Sequence, residues 1–279
     1  MYFRKEEKKM NKKIIALILA ALAVVMCFAF AACGGEKTTD GNADTNVVSD
    51  LADIKAKGTL VVGMTVYEPM NYKDADGNWT GFDTEFAQAV AKELGVDVEF
   101  IVIDWDNKFF ELESKKIDCI WNGMTITEEA LKNASVSDAY VKNAQVVVMQ
   151  NSKLADYTDA ASLKDLSFVA EAGSAGEAEI QALEIENYTA VSDQAAALLE
   201  VASGKADACV IDITMANAMT GEGTSYADLG YELELSTEEY GIAFRKDSDV
   251  TAEVNKIMAD LVEAGTLKAL AEKYSLTLA

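Results

Sequence analysis

The sequence predicts an α/β fold built on parallel sheet, with the same pattern laid down twice. Three observations predict it. Apolar strand-like runs alternate with amphipathic helices as βαβαβ between residues 58 and 133, and this order makes a parallel sheet. The alternation restarts near residue 166. The two halves also share a helix-to-strand junction, Lys116-Ile-Asp-Cys-Ile and Lys205-Ala-Asp-Ala-Cys-Val, as if each belonged to its own unit. With 279 residues, half of them hydrophobic, the chain can bury a sizeable core.

Residues 1–32 read as a targeting segment. Arg4, Lys5, Lys8, Lys9, Lys12 and Lys13 precede an apolar run from Ile14 to Phe30, and small residues follow, the layout of a secretory signal peptide. A retained membrane helix is the alternative, because the run is near the lower limit of roughly 17 residues for a span. Phe30-Ala-Ala-Cys33 resembles a bacterial lipobox, with Phe30 where Leu is usual. That resemblance implies that Cys33 is acylated, palmitate being one such acyl chain, and becomes the mature N-terminus; two chains suffice for stable anchoring. Residues 33–54 are expected to be a flexible tether, since up to about Ser49 almost nothing apolar occurs.

The folded part begins with a buried strand at 58–63. A helix at 83–94 carries Phe86, Val90 and Leu94 on one face and Asp83 as its expected N-cap. A strand at 98–103, a short helix at 106–114 and a strand at 118–121 follow. The helix at 127–133 starts with Glu128 and Glu129, where the macrodipole favours acids. The second series has strands at 166–170, 189–191 and 207–211, helices at 177–185 and 193–202, and an extended segment at 231–235. A strand at 240–244 and helices at 250–264 and 266–273 close the chain, and Pro69, the single proline, marks a turn.

Composition excludes several functions. A net charge of −23 disfavours nucleic acid, whose binding needs clustered Lys and Arg. The absence of histidine removes the commonest general base and metal ligand, so no metal, cofactor or catalytic residue is predicted. Cys119 and Cys209 lie in apolar runs and read as buried free thiols.

Open parallel sheets bind ligands beyond the carboxyl ends of their strands. Three such ends are Val66-Tyr-Glu-Pro-Met70, Asn122-Gly-Met-Thr125 and Glu171-Ala-Gly-Ser-Ala-Gly176. The third lacks the Lys-Ser/Thr of a nucleotide loop. Gly81-Phe-Asp-Thr-Glu-Phe-Ala, Ile103-Asp-Trp-Asp, Lys116-Ile-Asp-Cys-Ile-Trp-Asn-Gly-Met-Thr-Ile-Thr, Ala172-Gly-Ser and Gly204-Lys-Ala-Asp together resemble the extracellular solute-binding proteins of family 3, polar-amino-acid receptors of ABC importers.

The resemblance covers about residues 55–277. It implies a two-lobed periplasmic-binding-protein-like fold of type II, with lobe 1 at 55–145 plus 240–279, lobe 2 at 146–239, and crossovers near 143–149 and 237–241. The implied partners are a small polar ligand, an ABC permease and the membrane through the lipid anchor, for a monomer on the outer face of a bacterial cell membrane. Its site residues would be Tyr67 and Trp105 as walls, Asn122, Gly123 and Thr125 as polar contacts, Gly173 and Ser174 opposite, and Asp212 as partner of the ligand's ammonium.

The departure is Ala130, where the family's amino-acid binders usually carry an Arg that grips the ligand α-carboxylate; Ala175 stands where Thr is common. The expected ligand is an amino acid or derivative held by backbone amides near Thr127 and Ser174, Lys132 being a poor substitute for the Arg. The alternatives are an amine or other cation among Tyr67, Trp105, Asp212 and Glu68, or an enzyme like the dehydratases on this fold. The last would need a second catalytic group facing the ligand, and the chain offers no His and no obvious Lys-Glu pair in the pocket segments.

Overall fold

The computed structural model describes residues 49–279. The signal peptide, the lipobox and Cys33 lie outside the described residues. Within them the expected tether ends early: α1 (Asp50–Lys57) is a helix, capped by the Ser49 hydroxyl on the Ala52 amide and closed by left-handed Gly58. Ile54 on this helix is fully buried, so residues 50–54 belong to the fold.

The next elements are β1 (Thr59–Met64), the hairpin of β2 (Tyr72–Lys73) and β3 (Trp79–Thr80), α2 (Phe82–Leu94), β4 (Asp97–Val102), α3 (Lys108–Glu113), β5 (Cys119–Thr125), α4 (Glu128–Asn133) and β6 (Ser135–Val136). Then come β7 (Val141–Gln150), β8 (Phe168–Glu171), α5 (Ala175–Ala182), β9 (Tyr188–Val191), α6 (Gln194–Ala202), β10 (Ala208–Asp212), α7 (Ile213–Met219), β11 (Leu229–Phe244), α8 (Val250–Glu263) and α9 (Thr266–Lys273). The strands run β4-β1-β5-β11-β7-β10-β8-β9 across one path, with β6 beside β11.

The two parallel sets appear as predicted: β1 lies between β4 and β5, and β8 between β9 and β10. What joins them is antiparallel. Strand β11 pairs with β7 from Leu229 to Tyr240 and then with β5 up to Phe244. Strand β7 pairs with β10 on its other side. Both expected crossovers therefore fall inside long continuous strands. Side chains at Leu229–Phe244 alternate between partly covered and exposed until Tyr240, after which they are all buried.

One large apolar cluster threads both halves, from Phe86, Trp121 and Tyr140 to Leu198, Cys209 and Met215. Trp121 is fully buried and meets Phe86 edge-on at 4.8 Å, so it belongs to this core. Cys119 and Cys209 are buried free thiols. Asp83 does not cap α2: the N-cap is Gly81, and Asp83 sits buried in the first turn.

Candidate functional site

A cavity of about 290 Å³ opens between the ends of β5 and α4 on one side and β8, α5 and β10 on the other. Six of the predicted residues line it together: Trp105, Asn122, Gly123, Thr125, Gly173 and Ser174. Asp212 lines it as well. Tyr67 does not. Its ring lies behind Gly123, where an added Cβ would meet Tyr67 Cε1 at 2.7 Å, and its hydroxyl bonds to Thr214 and, at 2.6 Å, to Tyr240. Glu68 also lies elsewhere, in a separate cleft with Tyr72 and Lys142, so the aromatic cage of Tyr67, Trp105, Asp212 and Glu68 is not assembled.

The floor is braced from behind. The Asn122 amide accepts from the Thr65 amide at 2.9 Å and donates to Thr65 O at 3.0 Å and to Asn71 Oδ1 at 2.7 Å, tying β5 to the end of β1. The Gly123 amide donates to Asp83 Oδ2 at 2.6 Å, and Tyr140 donates to the same oxygen at 2.9 Å. Burial nevertheless pushes the Asp83 carboxyl up to about 7. Thr125 donates to Glu238 Oε1 at 2.8 Å. Three polar groups expected to face a ligand therefore already have protein partners.

Asp212, at the end of β10, is buried and ringed by neutral donors. It accepts from Asn143, Gln194, Gln145 at 2.9 Å and Tyr240 at 2.9 Å. Asn143 and Gln145 also donate to Glu238, at 2.6 and 2.8 Å, which places a second carboxylate on the same hub. Burial, and then the Glu238 charge, raise Asp212 to about 7. No cation among the described residues offsets it.

Across the cavity, Ser174 caps α5 by accepting from the Glu177 amide at 3.1 Å, and Glu177 accepts from the Gly173 amide, one residue before the cap, at 2.7 Å. Gly173 has φ +69°, and a Cβ there would lie 2.7 Å from Asp106 Cα, so the two halves meet backbone to backbone at this point. Ala130 is buried and lines the cavity, while Lys132 is exposed and does not.

Two buried charged residues were missed, beside the exposed Glu128 and Glu129 at the rim. Lys108 opens α3 and is buried in the cavity wall, its ammonium 2.8 Å from Gly173 O and 5.1 Å from the Trp105 ring centre. Burial lowers its pKa, against the pull of Glu129, Glu171, Asp106 and Glu177. Glu171, the last residue of β8, is buried with Oε1 unpartnered among the described residues, and desolvation raises it to about 8. A lysine and a glutamate thus do share the pocket, contrary to the expectation from the sequence. The spacing of Lys108 three residues after Trp105, which puts both on one face of a helical turn, was the available signal.

Residues 60–277 match the family model of bacterial extracellular solute-binding proteins, family 3. The chain belongs to that family. Among its relatives, the L-cystine-binding protein TcyJ of Escherichia coli is 30% identical, covering 80% of this chain and 85% of that protein. The arginine-binding extracellular protein ArtP of Bacillus subtilis is 31% identical, covering 94% and 98%. A mutant of ArgBP from T. maritima superposes with a TM-score of 0.76 at 32% identity over 81% of this chain and 98% of that one. An ancestral amino-acid-binding protein, described as a precursor of cyclohexadienyl dehydratase, superposes with a TM-score of 0.74 at 32% identity over 81% and 99%. The fold is the two-lobed one these proteins share, and the relatives are binding proteins.

Proposed function

We propose that this chain is the receptor of an ABC importer and captures one L-amino acid with a cationic side chain between its lobes. The observation that carries this is the charge of the cavity. Asp212 and Glu171 are both buried there, and Glu128 and Glu129 also line it, against the single cation Lys108. A buried carboxylate needs a positive partner, and a basic amino acid brings two for one carboxylate. Asp212 receives one of the two ammonium-type groups. The cavity lies near the lower end of small-molecule pockets, the size for a single amino acid rather than a peptide. The arginine named for several relatives supports this class of ligand, and the cystine named for others supports an amino acid more broadly.

Residues 50–145 with 240–279 form one lobe and 146–239 the other, and ligand touching both shifts the population toward the closed form that the permease recognises. The protein acts as a monomer without turnover, held to the outer face of the membrane by acylated Cys33. Cys33→Ala is expected to release it into the medium.

Mass spectrometry of small molecules that leave the purified, denatured protein, followed by calorimetry with the compound found, tests the reading. An intact basic amino acid supports it. A ligand with no carboxylate favours an amine receptor, and conversion of a bound compound to product makes the protein an enzyme of the dehydratase kind.

A further inference from the structure

The carboxylate of an amino acid needs a strong anchor, and the residue that usually supplies it in this family is Ala130 here. The replacements that the sequence suggests are partly taken up, and none of them brings a buried positive charge. Lys132 lies outside the cavity lining. At the start of α4 the Ala130 amide is taken by Thr127 Oγ1 at 3.0 Å. Beside Ser174 the Gly173 and Glu177 amides are taken by Glu177 Oε2 and Ser174 Oγ.

Lys108 remains. It is 7% exposed, whereas lysine is almost never so buried without a charged partner. Among the described residues its ammonium has only carbonyl acceptors, Trp105 O at 3.2 Å and Gly173 O at 2.8 Å. Those use two of its three N–H donors. The rings of Trp105 and Phe109, each 5.1 Å away, hold the stem and shield the charge from water. The result is a positioned, desolvated cation on a cavity wall with no carboxylate in hydrogen-bond contact, although Glu129, Glu171, Asp106 and Glu177 act on it from farther away.

We infer that Lys108 is the carboxylate anchor of this receptor, taking from another position in the same cavity the role that Ala130 leaves vacant. The inference rests on the amino-acid reading of the site. It follows that the anchor belongs to both lobes at once: the ammonium that grips the ligand also bridges to Gly173 O, so the ligand's carboxylate is fixed at the seam.

The test compares amino acids with the same molecules lacking the carboxylate. Wild type, Lys108→Met and Lys108→Arg are titrated by calorimetry with L-arginine, L-lysine, L-histidine and L-cystine, and with agmatine, cadaverine, histamine and cystamine. Losing a charge-assisted contact to a buried carboxylate should weaken the amino acids by roughly 30-fold or more in Lys108→Met. The matching amines should change by less than about threefold, and Lys108→Arg should keep amino-acid binding within roughly tenfold. A thermal melt of each variant establishes that it folds. Equal losses for amino acids and amines overturn the inference and make Lys108 a latch between the lobes. Undiminished amino-acid binding by Lys108→Met overturns it too, while leaving the receptor reading intact. A wild-type protein that binds none of the amino acids overturns that reading and this inference with it.

Discussion

Glu171→Gln should make the ligand-free protein more stable and a worse receptor. Glu171 is buried, its Oε1 is unpartnered among the described residues, and its carboxyl is raised from 4.5 to about 8, first by desolvation and then by Asp212 and Asp193. An acid whose folded pKa exceeds its unfolded one binds more protons when folded, so stability is fully present below about 4.5 and declines as pH rises to about 8. At 1.36 kcal/mol per unit the decline has an upper bound of roughly 5 kcal/mol, which local relaxation reduces to ~2–4 kcal/mol. The neutral amide avoids it. Differential scanning calorimetry of the ligand-free proteins should put the variant's Tm above wild type by ~4–16 °C at pH 8.5, and the gain should shrink to under ~4 °C at pH 5. Asp83 titrates in both proteins and cancels in the difference, whereas Asp212, whose charge acts on Glu171, cancels only in part. Affinity for L-arginine should fall while that for L-citrulline, its uncharged analogue, holds. A gain independent of pH, or none, would refute the reasoning by showing that the Glu171 carboxylate is solvated.

Four further outcomes are expected. Asp212→Asn should lower affinity for L-arginine by roughly 30-fold or more in calorimetry, with unchanged circular dichroism, because the ammonium loses its buried partner. In wild type, affinity should rise with pH through about 7 as Asp212 ionises, and Asp212→Asn should flatten that rise. Ala130→Arg in the Lys108→Met background should restore amino-acid binding, since Ala130 lines the same cavity; no recovery would mean that an arginine there cannot reach the ligand. Gly173→Ala should separate the lobes, its Cβ falling 2.7 Å from Asp106 Cα, and small-angle scattering with L-arginine should keep the larger radius of gyration of the open form.

Much of the fold was legible because apolar periodicity reports burial. Leu60 and Val62, or Phe86, Val90 and Leu94, have the spacing of the faces they bury. Helix α7 was not legible, because Ile213-Thr-Met-Ala continues the apolar run of β10 and Asp212 makes no side-chain cap on it. The continuity of β11 was hidden by Ser236, Glu238 and Glu239, which look like a loop and are a crossing strand between two lobes. At the site, the strand-end rule gathered Asn122, Gly123, Thr125, Gly173 and Ser174 around one cavity, and the family resemblance added Asp212. It could not tell which of their polar groups were already satisfied, since Asp83, Asn71 and Glu177 arrive from other segments. Lys108 and Glu171 escaped for the opposite reason: charged residues at a helix start and a strand end are ordinarily solvated, and only tertiary packing buries them.

The late arrival of β11 has a consequence for how the chain folds. Strand β5 is finished only when Tyr240–Phe244 pair with it, and that segment follows the whole of the other lobe. The lobe begun first is therefore completed last, through a pairing of high sequence separation, which forms slowly. While a chain is still emerging with residues beyond 239 unavailable, β5 has no partner on that side and its lobe cannot close. Such a delay leaves one edge of β5 unpaired until residues 240–244 are available to cover it.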